Sequence, residues 1–252
     1  MPHAALEKRW SQNLPAYGGW LVEPSESALD AYAQAGFHYV GIDCQHALLD
    51  ETEAAKMLVR LRDAPFAVLT RVSENALAPI GKLLDAGSDG VIIPGINTAE
   101  EANAAAMACR YPPRGIRSMG PIRPGMGLNP EQIEQRALCL VMIETKQGLE
   151  NVEAICKVPG VSGVYIGPGD LSIGLGLSPM AAFSSDQLVK PIERIRAACD
   201  ANKLVLGSHS MDAAFTKKCI DWGCKYITLG TNTMLFAQAA RGLFQELQKI
   251  AG

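Results

Sequence analysis

The chain has 252 residues, 48% of them apolar and 19% charged, which is enough to bury a large core and excludes a disordered chain. Its 23 Lys and Arg against 26 Asp and Glu give a net charge of −3; with no basic stripe, this argues against nucleic acid as a partner. No apolar run reaches the ~18–20 residues of a membrane span. Residues 1–13 carry no apolar leader, and the seven cysteines form no close C-x-x-C pair. These features together point to a reduced, cytoplasmic protein that does not bind membranes.

By length the chain is either two domains of roughly 150 residues or one α/β barrel of about 250. Short apolar, β-rich runs alternate with longer stretches of helical periodicity. Strands are predicted at 18–22, 39–42, 67–72, 90–93, 139–144, 163–166, 204–207 and 226–229. Helices are predicted at 26–35, 51–62, 77–86, 99–110, 149–157, 185–201, 211–222 and 233–249. Gly36, Gly87, Pro112, Gly160 and Gly223 stop several of them. Strands apolar on both faces belong to a parallel sheet covered by helices, so eight such units predict a (β/α)8 TIM barrel, one domain over residues 1–252. A doubly wound sheet would carry a Gly-rich nucleotide fingerprint after its first strand, and none is present. Segment 114–130, rich in Pro, Gly and Arg, interrupts the alternation. It is expected to be a lid, a subunit contact or a plain surface excursion.

In such a barrel the chemistry sits at the C-terminal ends of the strands. There the sequence places Asp43 and His46, Arg71, Glu144, Asp170 and His209. Glu144 and Asp170 come from adjacent strand ends, and two carboxylates form a hard-oxygen site suited to Mg²⁺ or Mn²⁺, with Co²⁺ a further candidate. Arg71 is a fixed cation that can stabilise an enolate or carboxylate oxygen, or simply pair with Asp43 or Glu144. His46, three residues after Asp43, has the makings of a carboxylate-oriented acid–base group. The turn Gly167-Pro168-Gly169-Asp170 offers backbone N–H groups to an anion. Lys146 follows a strand end but falls in a loop, which favours metal over imine chemistry.

These residues lie in stretches that resemble the class II, metal-dependent pyruvate aldolases of the HpcH/HpaI family, of the 4-hydroxy-2-oxoheptanedioate aldolase type. The stretches are AGFHYVGIDCQHA, KLLDAGSDGVIIP, RYPPRGIRSMG, VMIETKQGLEN and GVYIGPGDLS, and the resemblance runs from about residue 19 to 240. It implies that His46 is the catalytic base, that Arg71 stabilises the enolate and that Glu144 and Asp170 bind the metal. It further implies that Gly169 and Asp170 meet the substrate carboxylate through their backbone, and that Asp85 raises the basicity of the histidine. Asp85 falls late in a predicted helix, so Asp43 stands as a rival partner for His46. Three positions depart from the family pattern: Met142 where the family often has Gln, Gln45 where it has Glu, and His209 where the aldehyde pocket often has an apolar residue.

The expected reaction is aldol addition and cleavage between a 2-oxo acid such as pyruvate and an aldehyde. The alternatives are an acyl-CoA or dicarboxylate lyase on the same scaffold and a non-catalytic barrel that binds a 2-oxo acid. The resemblance also implies a homo-oligomer, a hexamer built from dimers, with the helix at 233–249 exchanged between partners. That helix carries Met234, Leu235, Phe236, Leu243, Phe244 and Leu247, apolar enough for such packing or for covering its own barrel.

Overall fold

Eight parallel strands pair in sequence order and the eighth closes on the first. The computed structural model describes residues 2–184 and 186–251. The strands are β1 (Ala16–Leu21), β2 (Tyr39–Asp43), β3 (Ala67–Arg71), β4 (Gly90–Ile93), β5 (Leu138–Ile143), β6 (Gly163–Ile166), β7 (Val205–Ser210) and β8 (Tyr226–Thr231). Around them run α1 (Pro2–Ser11), α2 (Glu26–Gln34), α3 (Glu51–Arg60), α4 (Leu77–Ala86), α5 (Ala99–Ala108) and α6 (Pro130–Glu134). They are followed by α7 (Lys146–Glu150), α8 (Val152–Cys156), α9 (Pro168–Gly174), α10 (Ala181–Ser184), α11 (Val189–Ala201), α12 (Ala213–Asp221) and α13 (Asn232–Ala251). The architecture is the (β/α)8 barrel predicted from the alternation. The helix expected at 149–157 is two short helices meeting at Asn151. The start of the helix expected at 185–201 lies outside the described residues. Among the described residues no helix is long and apolar enough to cross a membrane.

Side chains alternate across each strand, and β2 to β6 are buried on both faces. Outward residues such as Val40, Ile42, Val68, Val141 and Ile166 pack against the helices. Inward residues Trp20, Tyr39, Leu69, Leu140, Met142, Tyr165 and Tyr226 fill the barrel. Three large rings fit because a neighbouring strand has no side chain opposite. A Cβ on Gly18 would lie 2.2 Å from the Tyr39 ring, one on Gly41 2.1 Å from Trp20, and one on Gly207 2.4 Å from Tyr226. The inward parity continues to the strand tops, where it delivers Asp43, Arg71, Glu144 and His209 to one place.

Helix α1, which the periodicity does not predict, closes the bottom of the barrel. Leu6 is buried in the interior cluster, and Trp10 donates its indole N–H to the Lys225 carbonyl at 2.8 Å. Segment 114–130 also runs along the bottom. Arg117 pairs with Asp85 at 2.5 Å, Ile122 and Arg123 donate backbone N–H groups to the Asp85 carbonyl, and Arg123 reaches the Gly87 carbonyl at 3.1 Å. Within one chain the segment is therefore no lid over the strand tops. Truncating Leu6 removes a buried side chain from the floor and leaves a cavity. Leu6→Ala is expected to lower the unfolding free energy by about 2–5 kcal/mol, measured by urea denaturation.

Candidate active site

At the C-terminal ends of the strands lies a cavity of about 250 Å³. Its centre is set by the β2–β3 register, which places Asp43 opposite Arg71. Arg71 grips Asp43 with two bonds, Nε to Oδ1 at 2.8 Å and Nη2 to Oδ2 at 2.5 Å. Asp43 also accepts from Trp20 Nε1 at 3.2 Å, and from the backbone N–H groups of Gln45 at 2.9 Å and His46 at 3.3 Å. Burial alone would raise the Asp43 carboxyl. The Arg71 bonds and charge, with the two backbone N–H groups, outweigh it and hold the carboxyl below its usual range. Both residues are buried, yet Arg71 lines the cavity and spends only Nε and Nη2 on Asp43. Its Nη1 remains as a donor.

His46 is exposed at the mouth of this cavity. Of its two proposed partners, neither holds the ring. Asp43 binds the His46 backbone and spends its other capacity on Arg71 and Trp20. Asp85 ends α4 at the opposite end of the barrel, because helices run antiparallel to the strands, and there it pairs with Arg117. Arg117 stacks over Tyr111, 4.8 Å from the ring centroid, and its Nε and Nη1 are buried without partners. Among the described residues of one chain, no carboxylate is hydrogen-bonded to the His46 imidazole.

Glu144 follows β5, and Asp170 stands in the first turn of α9 after β6. Burial raises the Glu144 carboxyl and the charge of Asp170 adds to it, against the Gly95 N–H, Arg71 and His46. The Gly95 N–H binds Glu144 Oε1 at 2.7 Å. Gly167 leaves the space beside Oε2 open, since a Cβ there would lie 2.7 Å from that oxygen. A buried, raised carboxylate with one free oxygen, next to a second, exposed carboxylate, fits a hard divalent cation with open positions. Gly169 and Asp170 line the same cavity, and their N–H groups fall in the first turn of α9, where the helix supplies no acceptor. Lys146 points away, paired with Glu150 at 3.9 Å on the surface.

His209 lies at the top of β7 and lines the cavity. Its ring meets Trp20 edge-on, with centroids 6.1 Å apart at 78°. Burial, helped by the Arg71 charge, lowers its pKa to about 4, so it is neutral at pH 7. Met142, Tyr165 and Thr231 complete the walls. Sequence reasoning missed Trp20, Tyr165 and the Gly95 N–H. The first two carry a usable signal, an inward aromatic near the top of a strand; a backbone donor such as Gly95 carries none.

The HpcH/HpaI aldolase/citrate lyase family matches residues 17–239. The hydroxypyruvate/pyruvate aldolase of Rhizorhabdus wittichii is 32% identical over 244 residues, covering 96% of this chain and 97% of that one. The 2-keto-3-deoxy-L-rhamnonate aldolase of Salmonella gallinarum is 34% identical over 247 residues, covering 93% and 90%. The crystal structure of an HpcH/HpaI aldolase from Desulfitobacterium hafniense superposes with a TM-score of 0.84 at 27% identity, covering 95% of each chain. The chain belongs to the HpcH/HpaI aldolase/citrate lyase family and is a carbon–carbon lyase.

Proposed function

We propose that the chain catalyses reversible aldol addition and cleavage between pyruvate, or a related 2-oxo acid such as hydroxypyruvate, and an aldehyde. The observation that carries this reading is the meeting in one cavity of an exposed imidazole, a buried guanidinium with a spare donor and the Asp170 carboxylate, with the buried Glu144 beside Gly167 of the same lining and in reach of the charges of Asp170, Arg71 and His46. The names of the two aldolase relatives support the substrate class. Mg²⁺ or Mn²⁺, with Co²⁺ a further candidate, held by Glu144 and Asp170 would polarise the 2-oxo group and acidify the C3 protons. His46 takes a C3 proton. Arg71 Nη1 donates to the oxygen on which enolate charge gathers, while the Gly169 and Asp170 N–H groups meet the carboxylate. The enolate carbon then bonds to the aldehyde carbon, and His46 returns the proton to the aldehyde oxygen. Cleavage runs the same steps backwards.

The rivals fit less well. A cavity of about 250 Å³ suits a small acid and a short aldehyde better than the nucleotide tail of an acyl-CoA. A binding barrel has no need of an exposed His46 at its mouth. The acceptor end is walled by Trp20, His209 and Thr231. A half-buried neutral imidazole loses part of its hydration when it is left unpaired, so this end favours hydroxylated aldehydes over aliphatic ones.

We read the assembly as a homo-oligomer, a hexamer by family resemblance, with α13 exchanged between partners. In support, α13 leaves Phe236 77% and Ile250 82% exposed, with Leu243, Phe244 and Leu247 beside them. A mainly apolar hollow of about 640 Å³ separates α13 from α2, and apolar patches of this kind mark interaction surfaces. The cysteines are all buried free thiols, which supports a cytoplasmic address.

Chelation is expected to abolish turnover and Mg²⁺ or Mn²⁺ to restore it. Glu144→Ala and Asp170→Ala should lose cation affinity by calorimetry while keeping the parental circular dichroism. Full activity in excess chelator would rule out the carboxylate-pair reading. His46→Ala should keep pyruvate affinity and slow exchange of pyruvate methyl protons by roughly 10²–10⁴, followed by NMR in D₂O; exchange at the parental rate would remove His46 as the base.

His209→Leu should shift the ratio of kcat/KM for matched polar and apolar aldehydes towards the apolar one. The same variant tests the titration of His209. Its folded pKa of about 4 lies below the ordinary histidine value of 6.5, so between these values the unfolded chain binds more protons. The contribution of His209 to stability is thus complete above pH 6.5 and is lost as pH falls towards 4. Melting temperatures across this window should fall less steeply for His209→Leu than for the parent.

A further inference from the structure

The indole of Trp20 touches the site in four ways. Its Nε1 donates to Asp43 Oδ2 at 3.2 Å. Its face lies against the Arg71 guanidinium, 5.3 Å from Cζ to the ring centroid. Beneath, it stacks on Tyr165 at 6.0 Å and 16°, and its edge meets His209. Tyr165 is in turn fixed by its hydroxyl, which donates to Thr228 at 2.8 Å.

The two oxygens of Asp43 are held unequally. Oδ1 accepts two backbone N–H groups, which the chain fixes rigidly. Apart from those, Oδ1 binds Arg71 Nε, while Oδ2 binds only Arg71 Nη2 and the Trp20 indole. Without the indole, Oδ2 would be held only by the side chain it has to orient. The ring also shields one face of the guanidinium from water, which strengthens the remaining donor.

We propose that Trp20 is a positioning residue: it locks the Asp43–Arg71 pair so that Arg71 Nη1 faces the cavity, and Gly41 is a glycine in mid-strand to seat the indole. A Cβ at Gly41 would lie 2.1 Å from Trp20 Cε3 and 2.3 Å from Cζ3, so even alanine there displaces the ring. The inference rests on the reading of Arg71 as the donor to the enolate.

The experiment is Mg²⁺-supported exchange of pyruvate methyl protons in D₂O, read by NMR, with Mg²⁺ affinity measured by calorimetry. Trp20→Phe keeps a stacked ring and removes the N–H. It should lower the kcat of exchange about tenfold, the loss expected for one hydrogen bond to a charged acceptor, with Mg²⁺ affinity unchanged. Gly41→Ala, which substitutes no residue lining the cavity but displaces the indole, should reduce kcat in the same direction. In an Arg71→Lys background, which lacks the fork, Trp20→Phe should cost less than about twofold more, because the two residues act as one unit. Equal losses in both backgrounds would show that Trp20 acts independently of Arg71 and overturn the proposal. A parental rate in Trp20→Phe alongside a slow Arg71→Lys would also overturn it while leaving the reading of Arg71 intact. A parental rate in Arg71→Lys itself would instead remove that reading, and the proposal with it.

Discussion

The upper end of the barrel depends on one buried ion pair. Stripping water from a carboxylate and a guanidinium costs several kcal/mol per ion, and the cost is recovered only if the remaining hydrogen-bonding capacity is filled. Asp43 fills it with five donors, three from side chains and two from backbone. The pair also pins register: a one-residue slip of β2 against β3 would turn Asp43 or Arg71 into the apolar layer under the helices. Because the His46 N–H binds Asp43 Oδ1, the loop that carries the imidazole is anchored to the same pair. The charge of Arg71 further reaches both Glu144 and His209, stabilising the carboxylate of the one and opposing protonation of the other.

Much of this was legible before the structure. Strand positions follow from apolar runs, and the site residues from the polar groups that end them, since a barrel makes the tops of its strands converge. The pairing of Arg71 with Asp43 was one of the open readings. The orientation of His46 by Asp43 was another; in one chain that carboxylate binds Arg71, Trp20 and the His46 backbone instead of the ring. The awkwardness of Asp85 was visible in its place at the end of a helix, and the structure puts it at the far end with Arg117. What was hidden depends on packing between distant segments: α1 has no strong periodic signal, and the Gly95 N–H that binds Glu144 has no side chain to betray it. The direction taken by segment 114–130 follows from the Asp85 and Gly87 carbonyls, which no local pattern announces.

The cavity is polarised along its length. At one end stand Asp170, on the lining, and Glu144, beside the lining residue Gly167, which bring negative charge there, with Gly95 and Gly167 shaping the space around Glu144. At the other end Trp20, Tyr165 and His209 present rings and no formal charge at pH 7. Arg71 lies between them. A reaction that builds negative charge on an oxygen in the middle of the cavity, next to a cation-binding end and a neutral acceptor end, is matched by this gradient. A reaction that develops positive charge is not.

The two cavity histidines show how the surroundings of like groups divide their work. His209 is enclosed beside Trp20 and Arg71, and both burial and the positive charge oppose its protonation. It can offer a hydrogen bond, but to hold a proton it would have to face the charge of Arg71. His46 stands in a loop at the mouth, exposed to water, with only its backbone tied down. A half-buried imidazole beside a fixed cation is suited to recognition, and the acid–base role proposed for His46 goes to the ring that water reaches.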